Sequence, residues 1–134
     1  MVNYYELFLQ YLDAERVKYT SPKEYCVRIQ FAGENMRTIP ISVFFDPQKP
    51  VVHVLCSQIC NLGRNKDFAL RVCNEANVRY GWVKFYMDVE GDVISSVDAY
   101  LEEHTCGWEC LQMVKKVAAI TDEAYRIFVG EVWA

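Results

Sequence analysis

The stretch Asn74–Leu101, NEANVRYGWVKFYMDVEGDVISSVDAYL, constrains the fold more than any other part of the chain. A helical run ends near Gly81. WVKFYMD follows, then the acidic turn Glu90-Gly91-Asp92, then DVISSVDAYL. Two short alternating runs joined by a tight glycine turn form a β-hairpin, so their strands pair antiparallel. Parallel pairing would need a long crossover that this spacing excludes. In the first run Val83, Phe85 and Met87 fall on one face, and Trp82, Lys84, Tyr86 and Asp88 on the other. The first set reads as core. If helices cover one face of the sheet only, Trp82 and Tyr86 stand on the bare face as candidate partner-binding residues, because exposed aromatics mark interaction surfaces. The alternative places both beneath the C-terminal helix.

The flanking sequence supplies the rest of the architecture. Residues 2–18 carry Tyr5, Phe8, Leu9 and Leu12 at helical spacing, and Ser21-Pro22 reads as a break. YCVRIQF and TIPISVFFD alternate as half-buried strands, with Pro40 marking an edge or a strand start. VVHVLC reads as a third strand, apolar on both faces. Residues 65–80 form a second helix, capped by Asn65, with Asp67 in its first turn and Gly81 as its stop. Beyond His104 the pattern is helical to the end, with Thr121-Asp122-Glu123 either capping a new helix or lying within a continuous one. The order α-β-β-β-α-β-β-α predicts one α+β domain over residues 1–134, an antiparallel twisted sheet of about five strands packed by helices.

Composition removes several classes of function. With 14 basic against 18 acidic residues the net charge is -4, which argues against nucleic acid or an anionic membrane surface as partner. No apolar run reaches the length of a membrane span, and the first residues lack a secretory pattern, so a cytoplasmic protein is expected. In that setting the six cysteines are expected as reduced thiols.

Two CxxxC pairs, Cys56/Cys60 and Cys106/Cys110, are the weak candidates for a metal site, with His53 and His104 close in sequence. Against them, cysteine is commonly a buried small hydrophobe, and Cys56 falls at a strand end. No nucleophile signature surrounds any cysteine. Asp88-Val89-Glu90-Gly91-Asp92 has the residue types of a calcium loop but strands for flanks, so it reads as a solvated turn. Asn74 and Asn77 read as satisfying backbone groups at a helix end. Trp108 and Trp133 complete the aromatic partner-binding candidates, Trp133 as a helix anchor or dimer contact.

Element order and local strings together resemble the YbjN-domain family, most closely from Asn61 onward. The features are Asn74 and Asn77, the hairpin KFYMDVEGDV at Lys84–Val93, Asp98, and DEAYRIF at Asp122–Phe128. The resemblance implies a fold similar to class I type III secretion chaperones, frequent homodimers and no catalytic activity. Members are described as sensory-transduction regulators. The expectation is therefore a non-enzymatic protein-binding, chaperone-like or regulatory domain. It would bind itself and a further protein or peptide and need no cofactor. The alternatives are a metal- or thiol-dependent protein built on the CxxxC pairs, or a small-molecule sensor.

Overall fold

The first two helices begin where an asparagine caps them, and the third begins after Thr105 without a side-chain cap bond. In the computed structural model, which describes residues 2–130, α1 spans Tyr4–Ala14 and the Asn3 side chain accepts from the Glu6 N–H. It closes well before residue 18. Arg16 adopts φ 58°, and the Val17 N–H reaches back to the Leu12 carbonyl, a left-handed helix stop carried here without glycine.

The next segment departs from expectation. Thr20–Lys23 is a strand, β1, where Ser21-Pro22 reads as a break. Pro22 has no N–H for a ladder, yet β1 is an edge strand whose register shifts between Thr20 and Lys23, and such a strand tolerates proline. The remaining elements are β2 Cys26–Ala32, β3 Thr38–Phe45, β4 Val51–Cys56, α2 Lys66–Arg79, β5 Lys84–Met87, β6 Val93–Tyr100 and α3 Cys106–Phe128. The sheet thus has six strands rather than about five, ordered β1-β2-β3-β4-β6-β5, with antiparallel neighbours throughout. Pro40 costs nothing: β4 meets β3 only from the Ser42↔Leu55 pair onward, so nothing flanks Pro40 on that side.

The hairpin that opened the sequence analysis is present, but its first strand is shorter than WVKFYMD. Asn65 caps α2 through the Phe68 N–H as expected, and Asp67 sits in the first turn. The helix ends at Arg79 on an extended Tyr80. The left-handed residue is Trp82, φ 80°, and not Gly81. Alternation therefore begins only at Lys84, and Trp82 lies outside the strand. Beyond β6, α3 is one continuous helix. Thr121 sits inside it, buried, with its hydroxyl 2.6 Å from that of Ser95 on β6.

Register puts Val27, Ile29, Ile41, Val43, Val52, Val54, Phe85, Val93 and Val97 on one face, and all of them are buried. Helix α3 lies over β3, β4 and β6 on this side, α2 flanks β5, and α1 packs on α3. Gly107 marks the α1–α3 crossing: a Cβ there would stand 2.6 Å from Cβ and Cγ of Tyr11. Gly107→Ala is expected to cost about 1–2 kcal/mol, overpacking outweighing the gain in helix propensity. Equilibrium urea unfolding checks it; an unchanged midpoint means α1 can shift freely.

A second clamp ties the β2–β3 loop to α3. The Asp122 carboxylate accepts from the backbone N–H groups of Glu34, Asn35 and Met36 at 2.8–2.9 Å, and the Asn35 side chain donates to the Asp122 carbonyl. Burial pushes this carboxyl up, but the three N–H donors outweigh it and hold the group below its ordinary value. Gly33 permits the approach, since a Cβ there would meet Oδ1 of Asp122. Among the described residues no helix is long and apolar enough to cross a membrane.

Candidate functional site

With the helices gathered on one side, the opposite face of the sheet is left to side chains alone. Register assembles it from Arg28 and Gln30 on β2, Phe44 on β3, His53 and Leu55 on β4, Asp98 and Tyr100 on β6, and Lys84 and Tyr86 on β5. VVHVLC is thus not apolar on both faces: His53 is exposed and pairs opposite Asp98. Tyr100 is 83% exposed and Tyr86 38%, while Phe44 and Leu55 are half-buried between polar neighbours. Nδ1 of His53 lies 2.7 Å from the Asp98 carboxylate, and Nζ of Lys84 lies 4.0 Å from the same group. Lysines also lie over the rings, Lys84 5.5 Å above Tyr86 and Lys23 5.9 Å above Phe44. The face is amphipathic, with aromatic area beside fixed charges.

Of the aromatic candidates, this face takes Tyr86. Trp82 is 56% exposed but precedes β5, so alternation does not assign it to the face. Trp108 is 58% exposed at the start of α3, in the helix layer, and is no part of the same surface. Trp133 lies outside the described residues. Tyr100 and the His53–Asp98 pair were missed. Period-2 alternation is visible for each strand, but the pairing of β4 with β6 across 45 residues is not a local signal.

Among the described residues the two CxxxC pairs are not brought together into one cluster. All six cysteines are free. Cys56 ends β4 and Cys60 lies in the following loop, so that pair is not on a helix; Cys106 and Cys110 are buried in α3. Among the described residues no group of three His, Cys, Asp or Glu side chains is placed to hold a metal ion, and the four-thiol arrangement is not assembled. Burial pushes the Cys56 thiol up to about 11, with a backbone hydrogen bond at Gln58 opposing it. Burial, then the neighbouring Cys73 and Asp92, push Cys60 up to about 11. Burial also raises Cys73, Cys106 and Cys110. At neutral pH these groups are thiols, not thiolate nucleophiles.

The acidic turn is structural. Asp88 accepts from the N–H groups of Glu90 and Asp92, and Asn61 donates to the Glu90 carbonyl and the Asp92 carboxylate. Gly91, φ 88°, packs on Gly63 so tightly that a Cβ would stand 2.5 Å from it. Asn77 is structural too, but it serves the sheet and not its own helix end. It accepts from the Phe85 N–H at 2.7 Å and donates to the Phe85 carbonyl at 3.0 Å, so one carboxamide takes the place of a further strand beside β5.

A twisted antiparallel sheet with helices on one face and a bare second face defines a chaperone-like α+β class. Two solved structures share it. The crystal structure of YbjN from E. coli matches with a TM-score of 0.60 at 10% identity, covering 89% of each chain. A chain of the HopA1-SchA chaperone-effector complex matches with a TM-score of 0.52 at 9% identity, covering 87% of this chain and 95% of that one. The family model of YbjN, described as "Putative bacterial sensory transduction regulator", matches residues 6–126, and the chain belongs to that family. No curated protein sequence matches it.

Proposed function

We propose that this chain is a non-enzymatic binding module that holds another protein surface against the bare face of its sheet, a second copy of the chain being the first occupant. One observation carries the reading: Tyr86 and Tyr100 stand exposed on a face that lacks a helix layer, Tyr86 opposite Ile94 and Tyr100 opposite Val51, with half-buried Phe44 and Leu55 elsewhere on the same face. A partner that covers them gains the aromatic area on which interface energetics usually turn. The likeness to a chain of a chaperone-effector complex supports the reading at the level of fold. Catalysis has no part in it: the raised thiols are poor nucleophiles, and among the described residues no hydroxyl or thiol is hydrogen-bonded to His53. Reduced thiols in this number suit a cytoplasmic setting.

Light scattering on the eluting protein tests this. The expected mass is twice the 15.6 kDa of one chain, reverting to one chain in the double variant Tyr86→Glu, Tyr100→Glu. A monomer at high concentration removes the second copy as occupant. A photo-reactive residue at position 100 that captures no protein in cells removes the surface itself.

A further inference from the structure

Between the end of α1 and the start of β1 the chain turns a corner beside β2. Tyr19 donates its hydroxyl to the Asp13 carboxylate at 2.8 Å, which fixes its ring. Strand β1 then begins at Thr20, opposite Arg28, while β2 runs on to Ala32. The Phe45 N–H donates to the Tyr25 carbonyl, so Val27 and Ile29 turn their backbone groups toward β3, and Arg28 and Gln30 turn theirs outward. Arg28 has Thr20 beside it. The outward N–H of Gln30 has no hydrogen-bond partner among the described residues.

This corner encloses a cavity of about 510 Å³, lined by Lys18, Tyr19, Thr20, Arg28 and Gln30. Its volume falls in the range of small-molecule sites, about 300–1,000 Å³. Its charge is of one sign, in a chain whose net charge is -4. Other cations on the bare face are already matched: His53 and Lys84 lie against Asp98, and Lys23 lies over Phe44. Lys18 and Arg28 are not. Among the described residues neither has a carboxylate or an aromatic ring as partner. Register explains this for Arg28, whose neighbours across the ladder are Thr20 and Ser42, both uncharged. Gln30 faces Pro40. A cleft lined by cations alone concentrates anions.

We propose that this corner is a binding site for a small phosphate monoester of the sugar-phosphate class. Two cations match a dianionic phosphoryl group: the planar fork of Arg28 can take two of its oxygens, and Lys18 acts as a point charge. The free N–H of Gln30 adds a neutral donor. The Thr20 hydroxyl and the Gln30 carboxamide each donate and accept, which suits the hydroxyl groups of the remainder. The fixed ring of Tyr19 offers the apolar wall that the carbon skeleton of a sugar can cover. A long polyanion is a poorer match, because it would meet the acidic excess of the rest of the surface. The site lies at the β1 border, whereas Tyr86 stands on β5 at the other border. It therefore adds a ligand to the protein-binding reading and does not depend on it.

The probes are glucose 6-phosphate, glucose, glucuronate and inorganic phosphate, each titrated into the full chain and followed by amide NMR. Glucose 6-phosphate is expected to shift the Thr20, Arg28 and Gln30 amides saturably, and glucose to leave them in place. Glucuronate and inorganic phosphate are expected to bind at least about tenfold more weakly, the first for want of the phosphoryl group and the second for want of the sugar. Arg28→Gln and Lys18→Gln, both at exposed positions, are each expected to weaken glucose 6-phosphate by about tenfold without lowering the melting temperature. Lys18 lies outside the sheet, so its variant still gives the answer if the Arg28 variant folds poorly. No saturable shift at Gln30 with glucose 6-phosphate overturns the proposal, as does binding that neither variant weakens. Inorganic phosphate bound as tightly as glucose 6-phosphate overturns it in favour of a simple ion site. Glucuronate bound as tightly overturns the choice of phosphate in favour of a carboxylate.

Discussion

Asp122→Ala is expected to lower the free energy of unfolding by about 3 kcal/mol, because three backbone N–H groups lose a charged acceptor at once. Each bond to a carboxylate is worth about 1.5–3 kcal/mol in isolation, and the sum is discounted because the group is only partly buried and water can replace it in part. The lost anchor joins residues more than eighty positions apart in sequence, so the β2–β3 loop should also loosen from α3. The effect depends on pH with a definite sign. The carboxyl is held below its ordinary value in the fold, so its stabilisation is fully present above the unfolded-state value near pH 4 and is lost as the pH falls through the folded value. Urea titrations of wild type and Asp122→Ala should therefore differ at pH 7 and converge in acid. Asp122→Asn should be intermediate and flatter with pH. It keeps the Oδ1 bonds to Asn35 and Met36 but presents an amide to the Glu34 N–H. An alanine variant as stable as wild type at pH 7 would show that the clamp is idle.

Asn77→Ala should cost about 2 kcal/mol, from two backbone groups of Phe85 left without their partner in a partly buried site. The aliphatic alternative cannot compensate, since the orphaned N–H and carbonyl remain. Asn77→Asp separates the two bonds: it retains an acceptor for the Phe85 N–H but sets a second oxygen against the Phe85 carbonyl. Hydrogen exchange reads the local consequence. The Phe85 amide should exchange faster in both variants, and more so in alanine, while amides in β3 keep their protection relative to global stability. Unchanged exchange at Phe85 would mean that α2 contributes packing alone.

These two clamps show where sequence ceased to be informative. Local period was enough for Val83 and Phe85 as core, for Asn65 as a cap, and for the acidic turn around Gly91. It was also enough for the α+β class. What it missed depends on contacts between distant segments. Pro22 reads as a break because its missing N–H is costly inside a sheet, and only the strand order shows that it sits at an edge. Trp82 was assigned to a strand by alternation, but its left-handed backbone ends that alternation two residues early. The His53–Asp98 pair and Tyr100 needed the β4–β6 register. Asp122 was visible only as part of a family string, with nothing local to say that its carboxylate crosses to Glu34, Asn35 and Met36. Asn77 was read as structural for the wrong neighbour: its side chain points at β5 and not at its own helix end.

The carboxamide of Asn77 also sets a valence. A sheet with two receptive borders is a bivalent monomer, and bivalent monomers can polymerise without limit, each chain templating the next. Asn77 takes up the outward backbone groups of Phe85 from within, and so removes one site of strand addition from the β5 border. Asn77→Ala is accordingly expected to make that border more receptive to a second chain.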